Sequence, residues 1–376
     1  MARKRIAKNV AFDDEKQRYY VTFHYGMNAG RRVRRTQTYH RQEDALQAAH
    51  SFEALRLQRR LIAPSLLTLN QWLDNWLNNI VTPTRAASTV YGYTNIIDHH
   101  LRPALGEVPL QRLTPAQIQH YYAEKLRSGY NPNTVRKHHQ LLYTALELAV
   151  RQGYLEQNPV RLVDSPAPVP PKHTYYNSMQ LRALFDLVTG TQLELVVKLA
   201  GFLGMRRSEI CALKWCNVDF RCHIIDVCEA RTAVGGTVVE KGTKTDASCR
   251  MLDFSDLQEL RQLLLAEQAR QRVRRCYRET GYVVVRPDGK PYQPDYLSGC
   301  FHTFVQAHGL PPITLHGLRH SFASVANSCH VPLFDIGKAM GHSSTGVTSR
   351  IYTHLFDTAH RSAIRAVGTA IENPEL

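Results

Sequence analysis

The chain has 376 residues, of which 43% are hydrophobic and 21% are charged. This composition excludes an intrinsically disordered chain and suffices for two or three folded domains. Lys and Arg number 47 against 32 Asp and Glu, a net charge of +15, so we expect a polyanionic partner, either nucleic acid or an acidic surface. The sequence has no apolar stretch of about 18 residues and no apolar signal core, so we predict a cytoplasmic protein without a membrane partner.

Positive charge is concentrated at the start of the chain. Residues 1–63 contain 14 Lys and Arg but only 6 Asp and Glu. Within them, residues 19–24 and 31–39 predict two strands, and residues 41–60 predict a helix that covers the sheet. A basic ribbon of this kind fits the major groove of DNA, whereas a solvated surface hairpin would gain nothing from like charges on both faces. The predicted DNA contacts are Arg31, Arg32, Arg34 and Arg35.

The rest of the chain predicts two further domains. Residues 64–165 show helical periodicity throughout and predict four helices, one of which begins after the cap residue Thr114. Residues 166–172 continue a proline-rich stretch and predict an interdomain linker. Residues 173–376 predict a mostly helical domain that contains one short antiparallel sheet between residues 223 and 254. The predicted fold class is therefore mainly α with small β-sheets, an α+β multidomain protein.

All eight cysteines lie between Cys211 and Cys329, and none forms a C-x-x-C pair. We expect reduced and mostly buried thiols. A zinc site near Cys211 is the alternative, but the spacings of the nearby Cys and His residues fit no zinc ribbon or finger. No metal ion is therefore predicted.

Two motifs in the last domain carry cations that suit a phosphate ligand. Arg206 precedes a predicted helix at residues 210–215, where free backbone N–H groups favour an anion. An ion pair with Glu209 is the alternative role for this arginine. Lys241 and Lys244 lie in a turn rich in Gly and Thr, which can present an ammonium group to a ligand.

Two more motifs follow toward the C-terminus. His316 and Arg319 are three residues apart at the start of a predicted helix, so they can address one ligand. His342 ends another predicted helix, and Tyr352 follows ten residues later. Each motif alone is a weak signal, because surface chemistry or packing usually explains such residues, but the four motifs together indicate a functional site.

The order and spacing of these motifs resemble those of the tyrosine recombinase family, which includes phage and conjugative-transposon integrases. The resemblance rests on GMRRSEICALKW, GTKTDASCR, LHGLRH and MGHSSTGVTSRIYTHL. It implies a catalytically active, site-specific DNA integrase with three domains. Residues 1–63 resemble an arm-type DNA-binding domain, residues 64–165 a helical core-binding domain, and residues 173–376 the catalytic domain.

The resemblance also implies a role for each candidate residue. Arg206 and Arg319 hold the non-bridging oxygens of a DNA phosphate, and Tyr352 attacks it to form a 3′-phosphotyrosyl intermediate. Lys244 protonates the leaving 5′ oxygen, with Lys241 as the weaker choice. The remaining residues of the implied site are His316 for proton transfer or phosphate stabilisation, His342 as a hydrogen-bond donor and Glu209 as a supporting acid. Because the intermediate conserves the bond energy, no cofactor is expected.

The implied partners are double-stranded DNA with core and arm sites, and three further copies of the chain in a tetramer that exchanges strands through a Holliday junction. Excision factors and host DNA-bending factors complete the expected assembly on a bacterial nucleoid. Three alternatives stay open: a type IB topoisomerase, a non-catalytic DNA-binding regulator, and a recombinase that resolves chromosome dimers.

Overall fold

The computed structural model describes residues 3–28, 31–57, 62–170, 174–242, 249–275, 277–278 and 280–341. The chain divides into two compact units after Pro170. Helices predominate and the sheets are small, which confirms the predicted α+β class. Within the described ranges, no helix combines the length and the apolar character needed to cross a bilayer.

The first unit begins with strands β1 (Lys4–Ala7), β2 (Val10–Asp13), β3 (Arg18–Asn28) and β4 (Arg31–Tyr39). Its helices are α1 (Gln42–Leu57), α2 (Leu69–Trp76), α3 (Thr82–Thr84), α4 (Ala87–Ile96), α5 (Arg102–Leu105), α6 (Pro115–Arg127) and α7 (Pro132–Arg151). The second unit contains helices α8 (Ser178–Val188), α9 (Glu194–Leu203) and α10 (Arg207–Ile210), then strands β5 (Val218–Asp219), β6 (Ile224–Val227), β7 (Glu229–Val234), β8 (Thr237–Gly242) and β9 (Arg250–Asp253). It ends with helices α11 (Gln258–Val273), α12 (Pro294–Ala307), α13 (Leu315–Ser328) and α14 (Leu333–Met340).

The N-terminal sheet is antiparallel with the order β1-β2-β3-β4, and α1 covers one of its faces. The buried rings of Phe23 on β3 and Phe52 on α1 lie 4.9 Å apart and form the centre of a small core. Strands β3 and β4 and helix α1 confirm the sequence prediction. Strands β1 and β2 were not predicted, because neither KRIA nor VAFD alternates apolar and polar residues.

The helices α2 to α7 enclose a second core, which is built around the fully buried Trp72. The indole Nε1 of Trp72 donates a hydrogen bond of 3.0 Å to the carbonyl oxygen of Ala145 on α7. The Thr114 side chain caps α6 by accepting from the backbone N–H of Gln117, whose own side chain accepts from the Thr114 N–H. The four predicted helices are confirmed, because α2 with α3 and α4 with α5 each form one continuous helix through a π-helical turn.

A buried histidine makes this core sensitive to acid. His138 on α7 is fully buried, and its Nδ1 lies 2.8 Å from the Tyr121 hydroxyl oxygen. Burial, together with the nearby charges of His100 and Lys125, lowers the pKa of His138 from 6.5 to about 4. The folded protein therefore holds this imidazole neutral, whereas the unfolded chain protonates it below about pH 6.5.

We expect the free energy of unfolding of this core to fall by roughly 2–3 kcal/mol as pH decreases from about 6.5 to 4, because the unfolded state then binds the extra proton. Urea unfolding in a Trp215→Phe background, followed by the fluorescence of Trp72 and Trp76, measures this change. His138→Gln should flatten the dependence on pH. An equally steep loss in His138→Gln would contradict the assignment to this residue.

The second unit differs from the prediction in its strands and in one helix. The predicted single sheet is two separate sheets, β5-β6-β9 and the hairpin β7-β8. The predicted helix at residues 210–215 is instead the short α10, which ends at Ile210. The chain leaves the helix because the Leu213 carbonyl oxygen accepts from the Val283 N–H at 2.8 Å, and the Trp215 N–H donates to the Gly281 carbonyl oxygen at 3.0 Å.

The prediction of mostly buried cysteines was wrong. Among the described cysteines only Cys211 is buried, whereas Cys228 and Cys300 are half-buried. The exposed ones are Cys216, Cys222, Cys249 and Cys329.

Candidate active site

Four of the predicted site residues belong to the described part of the second unit: Arg206, Glu209, His316 and Arg319. Lys244, His342 and Tyr352 lie outside the described residues. Lys241 is described only through its backbone, which pairs with Ala230 in the β7-β8 hairpin. The described part of the site therefore consists of the two arginines, Glu209, the histidine and their neighbours.

Arg206 stands immediately before α10. Gly204 ends α9 in the left-handed conformation, with φ of 61°, and this turn delivers Arg206 to the start of the next helix. The Nη1 of Arg206 donates a hydrogen bond of 2.7 Å to one Glu209 oxygen, and its backbone N–H donates at 2.8 Å to the other. The Arg206 side chain remains 32% exposed, so solvent and ligands can reach it.

Glu209 is almost completely buried and also binds Arg250, the first residue of β9. Arg250 donates to both carboxylate oxygens, with Nη1 at 3.1 Å and Nη2 at 2.8 Å. Burial alone would raise the pKa of Glu209, but hydrogen bonds and charge from Arg250 and Arg206 outweigh it and hold that pKa below its usual value. The carboxylate is therefore charged and accepts four N–H groups.

Arg319 lies in the second turn of α13 and is only 1% exposed. Its Nη1 donates to the Gly204 carbonyl oxygen and its Nη2 to the Met340 carbonyl oxygen, both at 2.6 Å. Helix α13 can approach this closely because a Cβ at Gly204 would lie 2.7 Å from the ring of Phe322. Arg319 thus links two segments of the chain: the turn at Gly204, which precedes Arg206, and the end of α14.

Three successive carbonyl oxygens at the end of α14 accept hydrogen bonds from three different arginines. They are those of Ala339 from Arg250 Nε at 2.7 Å, Met340 from Arg319 Nη2 at 2.6 Å, and Gly341 from Arg206 Nη2 at 2.8 Å. We call these the α14 carbonyls. The last carbonyls of a helix have no partner within it and carry its negative pole, so they attract cations. Gly341 adopts φ of 66° and ends the helix directly before His342.

His316 lies in the first turn of α13 and is exposed. Its ring centroid is 4.7 Å from that of His320, with the rings edge to face. The structure therefore brings Arg206 and Arg319 to adjacent carbonyls, and it places His316 on the same helix as Arg319 but at the surface. Arg250 and the α14 carbonyls were not predicted as parts of this site. Arg250 was present only as the last residue of GTKTDASCR, and the helix end at Met340-Gly341 was the one signal for the carbonyls.

A second charged region lies on the N-terminal sheet. Arg34 pairs with His24, and Arg35 pairs with the buried Phe23, so the two arginines point to opposite faces. Arg32 and Arg34 are both exposed and share the face that α1 does not cover. On this uncovered face, the hydroxyls of Thr22 and Thr36 lie 3.3 Å apart. Arg31 is described only through its backbone in β4.

Comparisons with known proteins agree on one fold. The phage integrase family model matches residues 177–359, and the model of the SAM-like N-terminal domain of phage integrases matches residues 68–126. A "Tyrosine recombinase XerC-like" protein of Caldanaerobacter subterraneus is 24% identical over 327 residues, 80% of this chain and 83% of the relative. The Tn1549 transposon integrase, solved with circular intermediate DNA, superposes with a TM-score of 0.68 at 17% identity, over 80% of this chain and 99% of that one. A lambda integrase tetramer, solved on a Holliday junction, gives 0.61 at 16% identity, over 93% and 96%.

The fold is therefore that of the tyrosine recombinase integrases. The two family models together cover most of the described chain, and their order along it is that of the two helical regions. The chain belongs to the phage integrase family, and it is a site-specific tyrosine recombinase that cleaves and rejoins DNA.

Proposed function

We propose that the active site comprises Arg206, Arg319, His316, Lys244, His342 and Tyr352, and that it serves integration and excision of a mobile element. One observation carries this proposal: Arg206, just before α10, and Arg319, on α13, converge on the adjacent carbonyls of Gly341 and Met340. His342 follows these carbonyls directly in the chain. Two guanidinium groups held this close together can grip one phosphate by its non-bridging oxygens.

The reaction then needs a nucleophile and two proton transfers. The Tyr352 oxygen attacks phosphorus, its proton passes toward His316, and the bond from phosphorus to the 5′ oxygen breaks. Lys244 gives a proton to that oxygen, and the DNA remains attached to the protein through a phosphotyrosine. Attack by the 5′ hydroxyl of a partner strand reverses these steps and rejoins the DNA. The arginines and His342 stabilise the charge that develops on the non-bridging oxygens.

The domains divide the DNA between them. We assign arm sites to residues 1–63, and we assign the core site jointly to residues 64–165 and residues 173–376, with residues 166–172 as linker. Four copies would exchange strands through a Holliday junction, and excision and DNA-bending factors would set the direction. A lambda integrase tetramer on such a junction shares the fold, which supports this arrangement.

The decisive experiment traps the intermediate. A duplex from the ends of the element is nicked beside the cleavage site, so that the short strand diffuses away after attack and the adduct accumulates. Proteolysis and mass spectrometry should then locate the DNA on Tyr352. Attachment to another residue would overturn the proposed site, and tight binding without any adduct would favour a non-catalytic regulator.

The exposed arginines of β4 should control the salt dependence of arm-site binding. We expect Arg32→Gln, Arg34→Gln and Arg35→Gln together to weaken binding and to reduce the slope of log affinity against log salt by about 0.9 per lost phosphate contact. Fluorescence anisotropy over a salt series measures this slope. The control is Arg56→Gln on α1, because Arg56 pairs with Glu53 at 3.5 Å. An unchanged slope in the triple variant would remove these arginines from the interface.

A further inference from the structure

We propose that Arg250 is a positioning residue for DNA cleavage: it holds Glu209 and the end of α14, and through them it fixes the guanidinium of Arg206. The inference rests on the proposed role of Arg206 at the scissile phosphate. Arg250 acts here through protein groups, because Nη1 and Nη2 donate to Glu209 and Nε donates to the Ala339 carbonyl oxygen.

The first contact of Arg250 is a two-pronged ion pair. Its Nη1 and Nη2 each reach one oxygen of Glu209, and the two side chains are 7% and 2% exposed. A planar fork fixes both the position and the rotation of a carboxylate, and low solvent access strengthens it. The orientation of Glu209 is therefore set from the side of β9.

The second contact reaches α14. Arg250 Nε donates at 2.7 Å to the Ala339 carbonyl oxygen, two residues before the Gly341 carbonyl that holds Arg206. A Cβ at Gly341 would lie 2.9 Å from Arg250 Nη1, so the absence of a side chain there admits the guanidinium. Arg250 thus shares the Glu209 carboxylate with Arg206, and at the end of α14 it binds a carbonyl two residues before the one that Arg206 binds.

These contacts have a consequence for the charge of Arg206. Glu209 now divides its negative charge between two guanidinium groups, one of which is buried. Without Arg250, the buried carboxylate would have Arg206 as its single side-chain partner among the described residues. Arg206 would then be drawn toward Glu209 and neutralised by it, and it would stabilise a phosphate less well.

Single-turnover cleavage of the nicked duplex, at saturating DNA, tests this role with Arg250→Lys, Arg206→Lys and the double variant. Lysine keeps the charge but cannot bind both carboxylate oxygens and a carbonyl in one plane. We expect Arg250→Lys to slow adduct formation by up to about 100-fold, because small misplacements of a catalytic group have effects of this size. DNA affinity should stay within about threefold, since the lost interaction belongs to the transition state. The control is Arg182→Lys, an exposed arginine that pairs with Asp186 and Glu259.

Two readouts separate positioning from mere stabilisation of the fold. If Arg250 acts through Arg206, the double variant should be little slower than Arg206→Lys alone, whereas independent effects would multiply. The second readout replaces the scissile phosphate with a methylphosphonate, which lacks the negative charge that Arg206 neutralises. The defects of both single variants should shrink on this DNA, whereas a loss of active protein would lower the adduct yield equally on both DNAs.

The results distinguish a wrong role for Arg206 from a wrong role for Arg250. Normal cleavage by Arg206→Lys would overturn the proposed role of Arg206 itself. A defect in Arg206→Lys with normal cleavage by Arg250→Lys, or with multiplied effects in the double variant, would overturn only the role of Arg250. If thermal unfolding shows that Arg250→Lys does not fold, Glu209→Gln takes its place, because glutamine keeps the side-chain shape. Its cleavage rate is then compared with those of Arg206→Lys and of the corresponding double variant, on both DNAs.

Discussion

Replacing Tyr352 with Phe is expected to abolish the covalent adduct with DNA and to leave affinity for the core site unchanged. The phenol oxygen is the proposed nucleophile, and the phenylalanine ring has the same shape without that oxygen. Removing the nucleophile of a covalent mechanism typically lowers the rate by about 10⁴-fold or more. The measurement is the band of slower mobility that a nicked duplex gives on a denaturing gel, beside a mobility-shift titration of the same DNA.

Tyr296→Phe is a suitable control for this experiment. Tyr296 is 54% exposed on α12, and its replacement by Phe likewise removes one phenol oxygen from the second unit. Its adduct yield should equal that of the parent protein. A Tyr352→Phe protein that still became attached to DNA would show that the nucleophile is a different residue. The role that the family resemblance implies for Tyr352 would then be wrong.

Arg319→Lys is expected to have the second largest effect, a loss of about 10²–10³-fold in the rate of cleavage at saturating DNA. A lysine at this buried position keeps a positive charge, but one ammonium cannot span the Gly204 and Met340 carbonyls as the planar fork does. The phosphate would lose a fixed donor, and the turn before Arg206 would lose its link to α14. Single-turnover kinetics measure the rate, and urea unfolding measures the loss of stability, which we expect at about 1–3 kcal/mol for a carbonyl left without its donor.

Arg207→Lys provides a matched comparison. Arg207 is the neighbour of Arg206 in sequence, but its Nη1 contacts Asp295 at 3.1 Å and Ser298 at 2.6 Å instead of the α14 carbonyls. Its replacement should change the cleavage rate by less than about threefold, as expected for a partly exposed ion pair. If Arg319→Lys weakened DNA binding but left the cleavage rate at saturating DNA unchanged, Arg319 would serve uniform DNA binding instead of the transition state.

Local sequence signals predicted the helices well and the sheets only in part. The Thr114 cap and the proline after it determine where α6 begins, and both can be read from neighbouring residues. The chain turn at Asn9, with φ of 65°, joins two strands whose sequences show no alternation of apolar and polar residues. Helix α10 stops early because Leu213 pairs with Val283, which lies 70 residues later in the chain. Contacts between distant segments decided these elements.

The candidate site shows the same division. Motif order indicated Arg206 and Arg319 because their residue types suit a phosphate, and the structure brings both to neighbouring carbonyls. Arg250 was recognised only as the last residue of the motif GTKTDASCR. Nothing near it in the sequence shows that it reaches Glu209, 41 residues earlier. Backbone acceptors such as those of α14 have no signature of their own, since every residue carries one.

The α14 carbonyls have a consequence for how this region tolerates substitution. Main-chain oxygens persist whatever side chain is attached, so Ala339 can change to other helix-forming residues without removing the acceptor for Arg250. Gly341 has no such freedom, because its left-handed backbone and the adjacent guanidinium both disfavour a side chain. Saturation mutagenesis of this helix end should therefore give a permissive position and an intolerant one only two residues apart, although both supply the same chemical group.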